Sequence, residues 1–148
     1  AARMRLTGML SYLVAAIKTI FIYYKTPSVQ VECNGESFTV PALMISIMNG
    51  RRMGGGFMMA PSASNTDGLL NLVIVREVPQ MAMFGLIVKF MKGTHGADPA
   101  VRTINSSEIT ATALRGTLPV HADGNTVCEE GKQVNIALIP RGLEIISK

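Results

Sequence analysis

The spacing of apolar side chains changes along the chain from a helical period to an alternating one. Between residues 3 and 24 the apolar positions recur every three or four residues, which predicts an amphipathic helix. Apolar and polar side chains then alternate from Val29 to Cys33, and the next dipeptide, Asn34-Gly35, is typical of a type I′ hairpin turn. The helical spacing returns over residues 79–92, and Gly93 is expected to end that helix.

The other apolar segments are short and are separated by turn residues, which is typical of an antiparallel β-sandwich. The predicted strands are Val29–Cys33, Ser37–Val40, Ala42–Met48, Gly55–Met59, Leu69–Val75, Val101–Ile104, Glu108–Leu114, Leu118–Ala122, Asn125–Cys128, Gln133–Leu138 and Leu143–Ile146. We therefore predict a mainly β fold, an antiparallel β-sandwich with one N-terminal helix and one inserted helix. Residues 1–148 are expected to form a single domain.

The composition indicates a large apolar core and a surface that is poor in charge. Hydrophobic residues make up 48% of the chain and charged residues only 16%, against roughly 25% in typical soluble domains. We expect another domain, a partner chain or lipid to cover part of the apolar surface. The apolar run 9–17 is interrupted by Lys18 and is too short for a membrane span. Because the chain begins inside a helical pattern, we interpret it as a piece of a longer protein.

The charged and metal-binding residue types exclude some functions. The net charge is +4, but the basic residues are scattered except for Arg51-Arg52, so a nucleic-acid partner is not expected. An anionic membrane or a phosphate-bearing substrate fits this charge better. Cys33 and Cys128 lack metal-site spacing and are expected to be buried thiols. His95 and His121 stand alone in the sequence and are expected at the surface or in turns.

The segment from residue 49 to residue 70 is the strongest indication of function. It contains three consecutive glycines, each costing about 0.5–1 kcal/mol in a regular element, at Gly54, Gly55 and Gly56. Such a run occurs where the backbone bends sharply, approaches another segment closely, or binds an anion through its N–H groups. The methionines around it indicate either core filling or a pocket for acyl chains.

Two Asp-Gly pairs indicate either ordinary turns or functional sites, a cation site at the first pair and a general base at the second. At the first, the Asp67 carboxylate together with the backbone carbonyls of Ser64 and Leu69 could bind a hard divalent cation. At the second, Asp123 could act as a general base that accepts a proton from a substrate hydroxyl.

Several short motifs also follow one another in a particular order. They are Asn49-Gly50, Gly54-Gly55-Gly56, Met58-Met59-Ala60-Pro61-Ser62-Ala63, Asp67-Gly68-Leu69-Leu70, Lys92-Gly93-Thr94-His95 and Asp123-Gly124-Asn125. This order resembles the C-terminal domain of the bacterial diacylglycerol kinase and lipid kinase family, which also includes sphingosine kinases. The resemblance implies an ATP- and Mg²⁺-dependent kinase that phosphorylates a lipid hydroxyl such as that of diacylglycerol.

The resemblance also implies the partners of the chain. An N-terminal nucleotide-binding domain with a Gly-Gly-Asp-Gly-Thr motif, absent from this chain, would bind most of the ATP, so the isolated chain is expected to be inactive. This chain would supply the lipid side of the cleft and the magnesium site. The whole protein would be cytoplasmic and peripheral to the inner face of the membrane, and a homodimer is an open possibility.

The resemblance implies roles for particular residues as well. Asp67 would be the side-chain ligand of magnesium, and Ser64 and Leu69 would provide backbone carbonyls. Asp123 and position 125 would be catalytic, but the family glutamate is here Asn125, whose amide cannot accept a proton near neutral pH. The substrate-binding candidates are Asn49, Gly54, Gly55 and Gly56.

Two other functions stay open at this point. The asparagine at position 125 and the absent nucleotide domain are also consistent with a non-catalytic lipid-binding module. Related folds phosphorylate NAD, so a kinase of a soluble polyol or nucleotide is a further alternative.

Overall fold

The computed structural model describes residues 26–142, which form antiparallel strands and one α-helix. The helix expected over residues 3–24 and the strand expected at residues 143–146 lie outside them. The elements are β1 (Ser28–Cys33), β2 (Glu36–Met48), β3 (Leu70–Arg76), α1 (Gln80–Lys92), β4 (Val101–Ser106), β5 (Glu108–Arg115), β6 (Leu118–Ala122), β7 (Asn125–Gly131) and β8 (Gln133–Ala137). The mainly β, antiparallel fold expected from the sequence is confirmed, as is the inserted helix.

The strands form one six-stranded sheet in the order β4-β3-β2-β1-β5-β8 and a two-stranded ribbon of β6 and β7. The β1–β2 hairpin turns at Asn34 and Gly35, whose φ angles of 53° and 74° are those of the predicted type I′ turn.

Strand β2 joins two segments that the sequence predicts as separate strands around Pro41. It pairs with β1 as far as Pro41, opposite Ser28, and with β3 from Ala42, opposite Arg76. Proline cannot donate a ladder hydrogen bond, and it is tolerated here because β2 changes its partner at this point. The Ala42 N–H donates to Pro27 O at 3.0 Å, and the Pro41 carbonyl accepts from Glu77 N at 2.9 Å.

Strand β3 is buried on both faces because it lies between two apolar cores. The first core combines residues from both halves of the sheet: Val29, Val31, Cys33, Ala42, Leu70, Leu72, Ile74, Ile109 and Ala111. The sheet therefore folds over on itself along β2, which gives the sandwich-like arrangement. The second core is formed by β3, α1 and the β2–β3 loop: Met59, Ala60, Ala63, Val73, Val75, Leu86 and Phe90.

Helix α1 begins directly after Pro79 and is capped at its C-terminus by Gly93, as expected. Gly93 has a φ of 71°, its N–H donates to Phe90 O, and the next N–H, of Thr94, donates to Lys89 O. A Cβ atom added at Gly93 would lie 2.8 Å from Cγ of Met58. Close approach therefore requires glycine at this helix end as much as the left-handed backbone does.

The β6–β7 ribbon contributes Leu118 to the edge of the first core, but residues 125–130 of β7 are all exposed. Cys128 lies on this strand and is exposed, so the expectation that it is buried is wrong. Cys33 is buried as expected, and burial raises the pKa of its thiol.

Candidate functional site

The glycine run lies in the loop from residue 49 to residue 69 that connects β2 with β3. The backbones of Met53 and Phe57 exchange two hydrogen bonds of 3.0 and 3.2 Å, which close a tight turn around the glycines. Gly54 and Gly55 have φ angles of 57° and 73°. The strand predicted at Gly55–Met59 is therefore wrong, because successive left-handed residues reverse the chain direction where a strand would continue.

The substrate-binding candidates Asn49, Gly54, Gly55 and Gly56 are all exposed. A Cβ atom added at any of these three glycines would meet no heavy atom within 4 Å. No neighbouring segment of the described chain therefore packs closely against these glycines. Their structural role is the positive φ at Gly54 and Gly55, and the turn they form is open to solvent.

The second half of the loop is fixed against the rest of the molecule. Met58 N donates to Phe90 O of α1 at 2.9 Å, and the Arg51 side chain donates through Nε to Ala63 O at 3.0 Å. Met59 is 2% exposed in the second core, whereas Met53 at the turn is 43% exposed. The methionines of this region are thus divided between core filling and surface.

The three predicted magnesium ligands lie within six positions of one another in the last part of this loop. Asp67 Oδ1 accepts a hydrogen bond from Leu69 N at 2.9 Å across Gly68, whose φ is 73°. Ser64 Oγ lies 3.1 Å from Oγ1 of Thr66. The short polar side chains therefore fold the loop into successive turns that bring Asp67 and Leu69 into direct contact.

This loop fits a magnesium ion that keeps most of its water shell. Asp67 is exposed, and the turn uses only its Oδ1, so Oδ2 is available as a ligand. Within residues 26–142, no three His, Cys, Asp or Glu side chains gather into a metal-binding group. A single carboxylate with backbone carbonyls, water and substrate phosphate is a donor set that Mg²⁺ commonly accepts.

The catalytic candidates Asp123 and Asn125 lie at the tip of the β6–β7 hairpin. Asp123 and Gly124 have φ angles of 48° and 85°, as in a type I′ turn, and Ala122 pairs with Asn125 on either side of them. Both candidates are exposed. In the described part of the chain, no hydrogen bond or ion pair links this hairpin with the 49–69 loop.

An open depression of about 340 Å³ lies elsewhere, at the β1–β2 turn. Its walls are Glu32–Ser37 and Glu108–Thr110, and none of the candidate residues lines it. The described residues thus bring Asp67 and Leu69 into contact and place Ser64 in the same loop, but they leave Asp123 and Asn125 on a separate hairpin.

His95 lies in the short 3-10 turn after α1, as one of the two expected placements had it, but it is buried and therefore not a surface histidine. The side chain is 1% exposed because the turn after α1 folds back against α1 and β4. Its ring stacks on Phe90 with centroids 4.1 Å apart. Nδ1 has no hydrogen-bond partner among the described residues. Burial lowers the pKa of His95, and the nearby backbone groups of Met59 and Lys89 oppose part of that shift.

The buried His95 predicts a loss of stability in mild acid. Because the pKa of His95 is lowered on folding, the unfolded chain binds more protons than the folded chain once the pH falls to about 6.5. We expect the free energy of unfolding, measured with urea, to fall by about 1 kcal/mol between about pH 7.5 and pH 5.5. In His95→Phe this decrease should largely disappear, whatever the absolute stability, whereas the exposed-site control His121→Ala should keep it. An unchanged slope in His95→Phe would contradict the assignment.

Asn71 is a second buried polar side chain, and sequence reasoning missed it. It is 1% exposed in β3, and neither amide atom has a hydrogen-bond partner among the described residues. Such a group costs about 1–3 kcal/mol. Alternation along the strand places it on the same face as Val73, toward α1 and the loop, and it pairs with Met48 where the loop begins. The sequence signal that could have indicated this buried polar side chain is a lone asparagine inside an apolar strand.

Two curated proteins with related sequences are kinases by name. Diacylglycerol kinase from Mycobacterium tuberculosis (strain CDC 1551 / Oshkosh) is 24% identical over 139 residues, covering 94% of this chain and 44% of that protein. "Probable lipid kinase YegS-like" from Yersinia enterocolitica serotype O:8 / biotype 1B is 28% identical over 120 residues, covering 81% and 38%. The chain therefore spans less than half the length of these relatives.

The fold is also similar to that of a solved kinase structure. The crystal structure of a diacylglycerol kinase from Bacillus anthracis str. Sterne aligns with a TM-score of 0.62 and 18% identity, covering 85% of this chain and 42% of that one. The family model described as the YegS C-terminal NAD kinase beta sandwich-like domain matches residues 1–147. The resemblance expected from the motif order is confirmed, and the chain belongs to the family of YegS C-terminal NAD kinase beta sandwich-like domains.

Proposed function

We propose that the whole protein containing this chain is an ATP- and Mg²⁺-dependent kinase that phosphorylates a lipid hydroxyl such as that of diacylglycerol. The relatives named diacylglycerol kinase and lipid kinase support this class of reaction. The observation that carries the proposal for this chain is the Asp67 turn, which leaves Oδ2 of an exposed carboxylate available beside Leu69.

The residues of this chain would act by binding and by moving a proton. Asp67 would hold Mg²⁺ through Oδ2, and the carbonyls of Ser64 and Leu69 would be further ligands. When bound, Mg²⁺ supplies neutralisation of the charge on the transferred phosphoryl group. The Asp123 carboxylate would accept the proton of the lipid hydroxyl as that oxygen attacks the γ-phosphorus of ATP, and the bond from the γ-phosphorus to the β,γ-bridging oxygen would break to release ADP. Asn125 would contribute a hydrogen bond and no proton transfer.

The whole protein would bring ATP and the lipid substrate together at the membrane. An N-terminal domain would bind ATP and bring it to the β6–β7 hairpin, whose tip is exposed in this chain. The glycine turn at residues 54–56 would contact the lipid substrate. The enzyme would work in the cytoplasm at the inner face of the membrane, and no nucleic-acid partner is proposed.

The test is an assay of the whole protein with [γ-³²P]ATP and diacylglycerol in mixed micelles. We expect labelled phosphatidate in the presence of Mg²⁺ and none after EDTA is added, because the charge on the transferred group is then not neutralised. This chain alone should give no product. Parallel reactions with glycerol and NAD as acceptors test the kinase of a soluble substrate. Folded whole protein without turnover on any lipid in a panel would overturn the proposal.

A non-catalytic lipid-binding module is the second candidate. Asn125 favours it, since an amide stands at the exposed hairpin tip where the family has a carboxylate. Lipid binding without phosphate transfer in the same assay would support this candidate over the kinase.

A further inference from the structure

One face of α1 is apolar and exposed. Met81, Val88 and Met91 are 70%, 49% and 48% exposed, and their spacing of seven and three residues aligns them along one side of the helix. The opposite side carries Leu86 and Phe90, which are buried in the second core. The helix is therefore apolar on both its core side and its outer side.

The glycine turn lies beside the C-terminal half of this helix. The hydrogen bond from Met58 N to Phe90 O joins the two segments, and Met58 also packs against Gly93 at the helix end. Met53 adds a further exposed apolar side chain at the turn. We name the outer side of α1 together with the glycine turn the methionine face.

The methionine face is also the basic part of the molecule. Residues 49–63 and 80–92 contain no aspartate or glutamate, and their cations are Arg51, Arg52, Lys89 and Lys92. These four charges equal the net charge of +4 of the entire chain. Lys89 pairs with Asp98 at 2.7 Å, which leaves the other three without an acidic partner among residues 26–142. Exposed methionines beside three cations that lack an acidic partner are complementary to anionic lipid headgroups.

We propose that the methionine face docks on an anionic lipid bilayer. Flexible thioether side chains can enter the boundary between headgroups and acyl chains, while the flanking arginines and lysine contact phosphate groups. None of the helices in residues 26–142 is long and apolar enough to cross a membrane. The inference deepens the proposed function and rests on it, since docking would bring the Asp67 loop to a substrate that resides in the bilayer.

Vesicle flotation of the whole protein tests the docking without any catalysis. The parent protein should float with vesicles of phosphatidylcholine mixed with phosphatidylglycerol, and much less with pure phosphatidylcholine. Replacing Met81, Val88 and Met91 together by serine should weaken binding about tenfold. Arg52→Gln and Lys92→Gln should each weaken it about fivefold and reduce its salt dependence. Ile139→Ser, at a 78% exposed site on another surface, is the matched control and should bind like the parent.

The possible results separate docking from catalysis. Turnover of a short-chain diacylglycerol dissolved as monomers should be the same in the triple serine variant and the parent, because this assay needs no membrane. Equal flotation of the triple variant and the parent would overturn the docking proposal. So would a change in melting temperature without a change in flotation, which would indicate that another part of the protein covers this face. Loss of turnover on every lipid with intact flotation would overturn the proposed function alone.

Discussion

Asp67→Asn is expected to lower kcat for lipid phosphorylation by the whole protein at least about a hundredfold. The amide oxygen of asparagine can still accept the hydrogen bond from Leu69 N, so the turn should be retained. The negative charge that would hold Mg²⁺ is lost, and only neutral ligands remain. Initial rates measured over a range of Mg²⁺ concentrations should also show a higher concentration at half-maximal rate.

Glu77→Gln is the matched control for this experiment, because it removes one exposed carboxylate outside the 49–69 loop. Its rate and magnesium dependence should equal those of the parent. If Asp67→Asn behaves like this control, the assignment of Asp67 as a metal ligand is wrong, even if the protein is a lipid kinase.

Asp123→Asn is expected to lower kcat about a hundred- to ten-thousandfold, which is the usual contribution of a general base. The change should leave the fold intact. Asp123 is exposed with a φ of 48°, and asparagine tolerates this left-handed conformation as well as aspartate does. Melting temperatures of variant and parent should therefore agree, while the rates of phosphatidate formation differ.

Asn125→Glu is the complementary change at the same hairpin tip. It restores a proton acceptor, so turnover should rise about tenfold or more if this position takes part in catalysis. Full activity of Asp123→Asn, together with no gain in Asn125→Glu, would exclude the hairpin from the chemistry and assign the base to another part of the protein.

The strands that could be predicted from sequence are those with local signals. The Asn34-Gly35 turn and the alternation before it specify the first hairpin, and Gly93 specifies the end of α1. The break expected at Pro41 was wrong because a change of strand partner, which is not a local property, tolerates a proline there. The strand expected at residues 55–59 was wrong because the prediction relied on apolar composition. In the structure the left-handed backbone of Gly54 and Gly55 turns the chain instead.

In the candidate site, too, some placements follow from local sequence signals and others depend on tertiary packing. Ser64, Asp67 and Leu69 are within six positions of one another, so short-range turn preferences suffice to place them in one loop and to bring Asp67 into contact with Leu69. The burial of Asn71 and His95 depends on how α1 and the loop pack over β3, which no local pattern specifies. For the same reason the sequence could not show that, in the described residues, no hydrogen bond or ion pair joins the Asp123 hairpin to the Asp67 loop.

The exposed position of the β6–β7 tip has an evolutionary consequence. Residues 123–125 contribute to neither core, and the turn requires only side chains that accept a left-handed backbone. Substitutions that keep this backbone conformation carry little penalty in folding, so natural selection acts on them mainly through the function of the protein. If the tip takes part in catalysis as proposed, single substitutions that leave the fold intact could remove or restore activity in a lineage, and Asn125 is the kind of residue that such drift would leave.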